Sequence, residues 1–127
     1  MLNSLGIRNH AGRLLFEARE LAEPAHSARL LSALEPVLLT PLHRVNAAAD
    51  VAIYDMYRNV HVESHAELLE SRQVRYDITV IYPIPLGQEY PKTYGHYHPV
   101  PPGRNASYPE LYQVLSGRAN YLIQRRD

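Results

Sequence analysis

The stretch at residues 74–82 has the sequence VRYDITVIY and is the clearest strand in the chain. It is rich in β-branched and aromatic residues, which favour β-strands, and a turn with two prolines and a glycine follows it. Residues 51–60 have a similar composition, and shorter strand-like runs lie at 93–98, 109–115 and 119–125. Successive strands joined by short Gly/Pro turns predict a mainly β fold, an antiparallel sheet or barrel.

The N-terminal part of the chain has a different composition. The first 35 residues contain no tyrosine and many Ala, Leu, Arg and Glu residues. Apolar residues recur at helical spacing in 9–21, and a second short helix is predicted at 27–34. We therefore expect a helical segment at 1–35, followed by a β domain at 36–127.

Composition excludes several classes of function. The chain has 127 residues, a length typical of one domain, and its 13 basic and 13 acidic residues cancel. Such a balance gives no general attraction to nucleic acid or to an anionic membrane. Because the chain has no cysteine, disulfides and thiolate metal sites are impossible. Any metal must be bound by histidine and carboxylate. No signal peptide is recognisable, so we expect a cytoplasmic protein.

A candidate metal site lies at residues 95–117. Gly95 precedes His96 and His98, which would share one face of a strand because side chains alternate. Glu110 on the next strand, which six residues separate from Gly117, would complete three ligands. Histidine and carboxylate together suit Fe, Mn, Ni or Zn. The alternative interpretation is that the His-x-His pattern is a coincidence in a chain with seven histidines.

These residues resemble the first motif of the cupins, which has a glycine, His-x-His, and a glutamate that six residues separate from a second glycine. Within the cupins the sequence is most similar to the cupin-type (archaeal-type) glucose-6-phosphate isomerases. The similarity is strongest in the string Thr-x-Gly-His-x-His, which starts at Thr93, and in YPELYQVLSG, which starts at Tyr108. It implies a jelly-roll-like antiparallel cupin barrel and an isomerase that interconverts glucose 6-phosphate and fructose 6-phosphate.

The resemblance also implies a role for particular residues. His96, His98 and Glu110 fall on the ligands of one divalent metal ion, and Glu110 also falls on a candidate catalytic base. The remaining matched positions are substrate-binding. Thr79, Thr93 and Gly95 fall on positions that hold the phosphate of the substrate. Tyr54 and Tyr112 fall on pocket tyrosines near the sugar.

The chain departs from the family after Gly117. Cupins carry a second motif with a third metal-binding histidine and strands that close the barrel, and residues 118–127 contain neither. We therefore expect a barrel that is incomplete at its C-terminal side, and a fragment with weak or no activity alone. A small-molecule sugar phosphate is the expected ligand and a homodimer the expected assembly. Two alternatives remain: another metal-dependent cupin enzyme, such as a dioxygenase or a sugar-modifying enzyme, and a non-catalytic sugar-phosphate-binding module.

Overall fold

The protein is mainly β and has two antiparallel sheets. The computed structural model describes residues 6–45 and 49–124, and within these ranges no sheet closes into a barrel. An incomplete cupin-like arrangement is compatible with this architecture. The strands are β1 (Ile7–His10), β2 (Arg13–Phe16), β3 (Ala25–Leu30), β4 (Ala52–Arg58) and β5 (Ile78–Ile81), and the α-helix is α1 (Ala66–Ser71). Three short 3-10 helices lie at Leu31–Val37, Leu42–Arg44 and Glu63–His65.

The larger sheet carries the strands that the sequence predicted most clearly. Its order is β3-β4-β5, with antiparallel pairing throughout. The strand predictions at 51–60 and 74–82 are confirmed, although β5 is shorter than predicted. Between β3 and β4 the register shifts by one residue at Arg29/Leu30. Such a bulge changes the direction of the neighbouring side chains.

The predicted helix at 9–21 is wrong, because this segment contains the β-hairpin β1-β2. The turn of the hairpin is Ala11-Gly12, and both residues have positive φ, 51° and 89°. Two successive positive φ angles are the requirement of the type I′ turn that best fits the twist of a hairpin. The side-chain oxygen of Asn9 accepts a hydrogen bond of 2.9 Å from the amide of Gly12. The helical spacing of leucines was therefore a misleading signal.

The predicted helix at 27–34 is also wrong in its first half. Residues 25–30 form β3, and only from Leu31 onward does the chain turn into a 3-10 helix. Leu31 and Leu34 are buried there, three residues apart, as one face of a 3-10 helix requires. Since β3 pairs with β4 along six positions, pairing with a long partner strand overrides the local preference for helix. The predicted helical character of residues 1–35 is thus corrected within 6–35, while residues 1–5 lie outside the described residues. The division at residue 35/36 stays a prediction.

Two hydrophobic clusters hold the sheets. One lies beneath the 3-10 helices and contains Leu31, Leu34, Val45, Ile53, Tyr54 and Leu86. The other packs the hairpin against the larger sheet and contains Ile7, Leu14, Tyr57, Val60 and Ile78. The Tyr57 hydroxyl accepts a 3.0 Å hydrogen bond from the amide of Leu14, which fixes the hairpin against β4.

The three strands predicted at 93–98, 109–115 and 119–125 are not strands in the part of the chain that the structure describes, and Arg125 itself lies outside it. Strands need a paired neighbour to satisfy their backbone groups. Of the prolines in this region, only Pro109 lies within a predicted strand, where it removes one donor. The apolar residues of this region are largely exposed, among them Leu111 and Leu122. Of the described helices, none is long and apolar enough to cross a bilayer.

A buried carboxylate links β4 to the strand that follows it. Asp55 is only 4% exposed. The Tyr82 hydroxyl donates a 2.5 Å hydrogen bond to Asp55 Oδ2, and His26 Nε2 lies 3.4 Å from Oδ1. The hydrogen bond to this carboxylate, together with desolvation, raises the pKa of Tyr82 to about 12, so the phenol remains a donor at neutral pH.

Replacing Asp55 with Ala is expected to lower the free energy of unfolding by about 2–3 kcal/mol, because the half-buried Tyr82 hydroxyl loses its charged acceptor. Urea unfolding followed by circular dichroism measures the change. Glu67→Ala on the exposed surface of α1 is the control and should change the value by less than about 0.5 kcal/mol. Equal stabilities for the two variants would show that the Asp55 network does not hold the sheet.

Candidate metal centre

A loop brings the candidate ligands together without a sheet. His96 and His98 lie in an irregular segment, and the chain then reverses direction through residues 99–108. The Tyr108 amide donates to the Pro99 carbonyl over 3.4 Å, and the Arg104 amide donates to the Pro101 carbonyl over 3.1 Å. These two hydrogen bonds close the loop and return the chain beside His98. Glu110 therefore reaches the histidines although the sequence between them is long.

The three predicted ligands form one cluster. Nitrogen atoms of His96 and His98 and a carboxylate oxygen of Glu110 all lie within 4.8 Å of one another. The two Nε2 atoms are 3.1 Å apart, and His98 Nε2 lies 2.6 Å from Glu110 Oε1. The imidazole rings have centroids 5.0 Å apart and planes inclined by 39°. The rings thus converge on one point, as the sequence predicted, although not from a strand.

The donor set fits a divalent metal. Two nitrogens bound to one ion at about 2.0–2.1 Å lie roughly 2.8–3.4 Å apart at octahedral or tetrahedral angles. The separation of the His96 and His98 nitrogens, 3.1 Å, falls in this range. Two imidazoles and a carboxylate can serve Fe, Mn, Ni or Zn, and the chain has no sulfur ligand of the thiolate kind. His98 is half-buried and the other two residues are exposed, so the site is open on one side.

Tyr112 holds the second oxygen of the Glu110 carboxylate. Its hydroxyl donates a 2.8 Å hydrogen bond to Oε2, while Oε1 faces His98. Desolvation and the hydrogen bond to Glu110 raise the pKa of Tyr112 to about 12. Tyr112 is therefore a neutral donor at physiological pH and fixes the orientation of the carboxylate. The Tyr121 ring packs on Tyr112, with centroids 5.0 Å apart.

Comparison with known proteins identifies the family. The model of the family described as glucose-6-phosphate isomerase (GPI) matches residues 28–127, well over half of the chain, and this range includes the whole cluster. The chain belongs to the glucose-6-phosphate isomerase family. Comparison with curated proteins and with solved structures found no match.

Two of the predicted substrate residues of this isomerase-family chain lie on one face of the larger sheet. Tyr54 on β4 is paired with Ile81, and the next pair on that face joins Met56 to Thr79. Because paired residues point to the same side of a sheet, Tyr54 and Thr79 share a face. Tyr54 is buried and Thr79 is exposed.

Two further predicted substrate residues, Thr93 and Gly95, lie in the irregular segment that contacts Tyr54. The Tyr54 hydroxyl accepts a 3.3 Å hydrogen bond from the amide of Tyr94, which stands between Thr93 and Gly95. Thr93 and Gly95 are exposed, and a Cβ built on Gly95 would meet nothing within 4 Å. The buried tyrosine thus anchors the segment that carries two of the predicted phosphate positions. The roles of these residues stay predictions.

Sequence reasoning missed two features of this region. Tyr121 was not singled out, although its ring supports Tyr112. Arg29 was also overlooked, because residues 27–34 were interpreted as a helix and its pairing with Tyr54 was not foreseen. The useful signal was a single arginine between apolar residues in the run Ala28 to Leu31. An arginine in such a position usually has a charged partner.

Proposed function

We propose that this chain is a metal-dependent, cupin-type isomerase that interconverts glucose 6-phosphate and fructose 6-phosphate in glycolysis and gluconeogenesis. The observation that carries the proposal is the convergence of His96, His98 and Glu110 within the region matched by the isomerase family. The donor set would hold one Fe, Mn, Ni or Zn ion. When bound, such an ion would polarise the C1 and C2 oxygens of the sugar.

Glu110 is the proposed base of the reaction. An aldose–ketose isomerisation moves a proton from C2 of the aldose to C1, while the hydroxyl proton on O2 is lost and one is gained on O1. A carboxylate can accept the C2 proton and return it to C1. The hydrogen bond from Tyr112 fixes one carboxylate oxygen, which leaves the other on the side of the histidines. Tyr54 and Tyr112 are the proposed sugar-pocket residues.

The phosphate of the substrate is proposed to bind at Thr79, Thr93 and Gly95. Threonine hydroxyls and a glycine amide are hydrogen-bond donors that suit phosphate oxygens. Gly95 is exposed, which supports access of a ligand to its backbone. These residues also distinguish the isomerase from the alternative of a dioxygenase, which has no need to bind an anion.

The partner predictions extend the same proposal. A small sugar phosphate is the proposed ligand, a homodimer the proposed assembly and the cytoplasm the proposed compartment, with neither nucleic acid nor a membrane as a partner. The formal charge of zero supports the last point. The expectation that the chain is a fragment with weak or no activity alone stays a prediction.

A coupled assay tests the function directly. The purified chain, stripped with EDTA and reloaded with Fe, Mn, Ni or Zn, is supplied with fructose 6-phosphate, and glucose 6-phosphate is detected through its dehydrogenase. We expect turnover that disappears on chelation and returns with metal. Binding of the sugar phosphate without turnover in any metal would support the non-catalytic module instead. Equal activity with and without chelator would overturn the metal dependence.

A further inference from the structure

Arg29 has a buried guanidinium nitrogen with no hydrogen-bond partner. The Nε atom is shielded from solvent, while the residue as a whole is half-buried. Among residues 6–45 and 49–124, no carboxylate forms an ion pair with this arginine. Arginine stays charged at any physiological pH, and a buried N–H group that lacks an acceptor is costly. Its position therefore requires an explanation beyond packing.

The sheet places Arg29 beside the proposed substrate residues. Arg29 on β3 is paired with Tyr54, so the two side chains leave the sheet on the same face, which Thr79 also shares. The register shift at Arg29/Leu30 lies next to this pair, where a bulge redirects side chains. The Tyr54 hydroxyl in turn contacts the Tyr94 amide, which links this face to the segment of Thr93 and Gly95.

The chemistry of this face matches an anion. Thr79 offers a hydroxyl donor, and Arg29 offers a planar set of N–H donors that matches the oxygens of a phosphate. The other arginine on this face, Arg58, already pairs with Asp77 over 3.5 Å. Arg29 is thus the cation on this face that no described carboxylate compensates.

We propose that Arg29 binds the phosphate group of the substrate and supplies the positive charge that the neutral donors Thr79, Thr93 and Gly95 lack. The identity of the ligand as a sugar phosphate rests on the proposed function, whereas the anion site rests on Arg29 and its face. A purely structural arginine predicts the opposite behaviour, because its removal would weaken the fold and leave phosphate binding unchanged.

Titration of the full chain with inorganic phosphate, followed by calorimetry and by thermal unfolding, tests the proposal. The variants are Arg29→Gln, Arg29→Lys and, as the control, Arg72→Gln, which removes an exposed charge at the end of α1. Arg29→Gln is expected to weaken phosphate binding about 10- to 100-fold, and Arg29→Lys to weaken it less. Phosphate should raise the melting temperature of the wild type and of Arg72→Gln, but not that of Arg29→Gln. Without phosphate, Arg29→Gln should melt no lower than the wild type.

The outcomes separate this proposal from the function. If the wild type isomerises the sugar and Arg29→Gln binds phosphate as tightly as the wild type, the role of Arg29 is overturned and the isomerase stands. If the wild type lacks isomerase activity with every metal but binds phosphate through Arg29, the isomerase fails and the anion site stands. Should Arg29→Gln not fold, Arg29→Met, which keeps the apolar stem and removes the charge, decides: unchanged phosphate affinity in that variant overturns the proposal.

Discussion

Replacing Glu110 with Gln is expected to lower kcat for the interconversion of glucose 6-phosphate and fructose 6-phosphate by about 10²- to 10⁴-fold, the contribution of a positioned general base. Glutamine has nearly the same volume as glutamate, but its amide cannot accept the C2 proton. The coupled assay measures the loss with a saturating metal. KM should change far less than kcat, because the groups proposed to bind the phosphate remain in place.

The matched control is Tyr112→Phe, which keeps the Glu110 carboxylate and removes the 2.8 Å hydrogen bond to it. Loss of an orienting hydrogen bond should lower kcat about tenfold or less. Metal content is measured for both variants, so that a loss of metal is not mistaken for a loss of the base. If Glu110→Gln turned over normally with full metal while Tyr112→Phe were inactive, Glu110 would not be the base.

The central sheet could be predicted from the sequence because its signal is local. β4 and β5 contain Ile, Val and Tyr in short runs, and such residues fit a pleated and half-buried surface. The prediction failed for β3, whose Ala and Ser residues have no strand preference of their own. That strand exists because β4 offers six pairing positions. Tertiary pairing of this kind cannot be detected in a single short segment.

The N-terminal hairpin was missed for a different reason. The turn Ala11-Gly12 lacks the asparagine or aspartate that is typical of a type I′ turn. The leucine pair at 14 and 15 fitted the apolar face of a predicted helix. Only Leu14 of this pair is buried, while Leu15 is exposed, which is the alternation of a strand. The residues of this short strand do not alternate between apolar and polar types, so the sequence carried no period-2 signal for it.

The convergence of His96, His98 and Glu110 was predicted from a wrong local structure. The spacing of His96 and His98 suggested a shared strand face, yet the segment is irregular. The rings still converge because a spacing of two residues in any extended backbone brings side chains to one side. The loop at 99–108, which two backbone hydrogen bonds close, places Glu110 beside the histidines without a paired strand. The sequence motif therefore predicted which side chains come together more reliably than it predicted the secondary structure around them.

Replacing His98 with Ala is expected to weaken the affinity for Mn, Fe, Ni or Zn by more than about 100-fold, since even changes to groups that only support a ligand cost 10- to 100-fold. His98 is central to the cluster, because its Nε2 lies 3.1 Å from His96 Nε2 and 2.6 Å from Glu110 Oε1. Its removal leaves one imidazole and one carboxylate. Calorimetry with each metal chloride and elemental analysis after dialysis give the affinity and the stoichiometry, which should be one ion per wild-type chain.

The control for this variant is His65→Ala, which removes an exposed imidazole from the 3-10 helix Glu63–His65 and should leave the stoichiometry at one.

Acidification should weaken metal binding by the wild type, because a protonated imidazole has no lone pair to donate. Retention of the metal by His98→Ala would instead indicate that the metal binds at a different site. If His98→Ala retained one ion with wild-type affinity, the short contacts among His96, His98 and Glu110 would be hydrogen bonds of a proton-sharing cluster, and the metal would be bound elsewhere. In that case the isomerase would need another group to polarise the sugar oxygens.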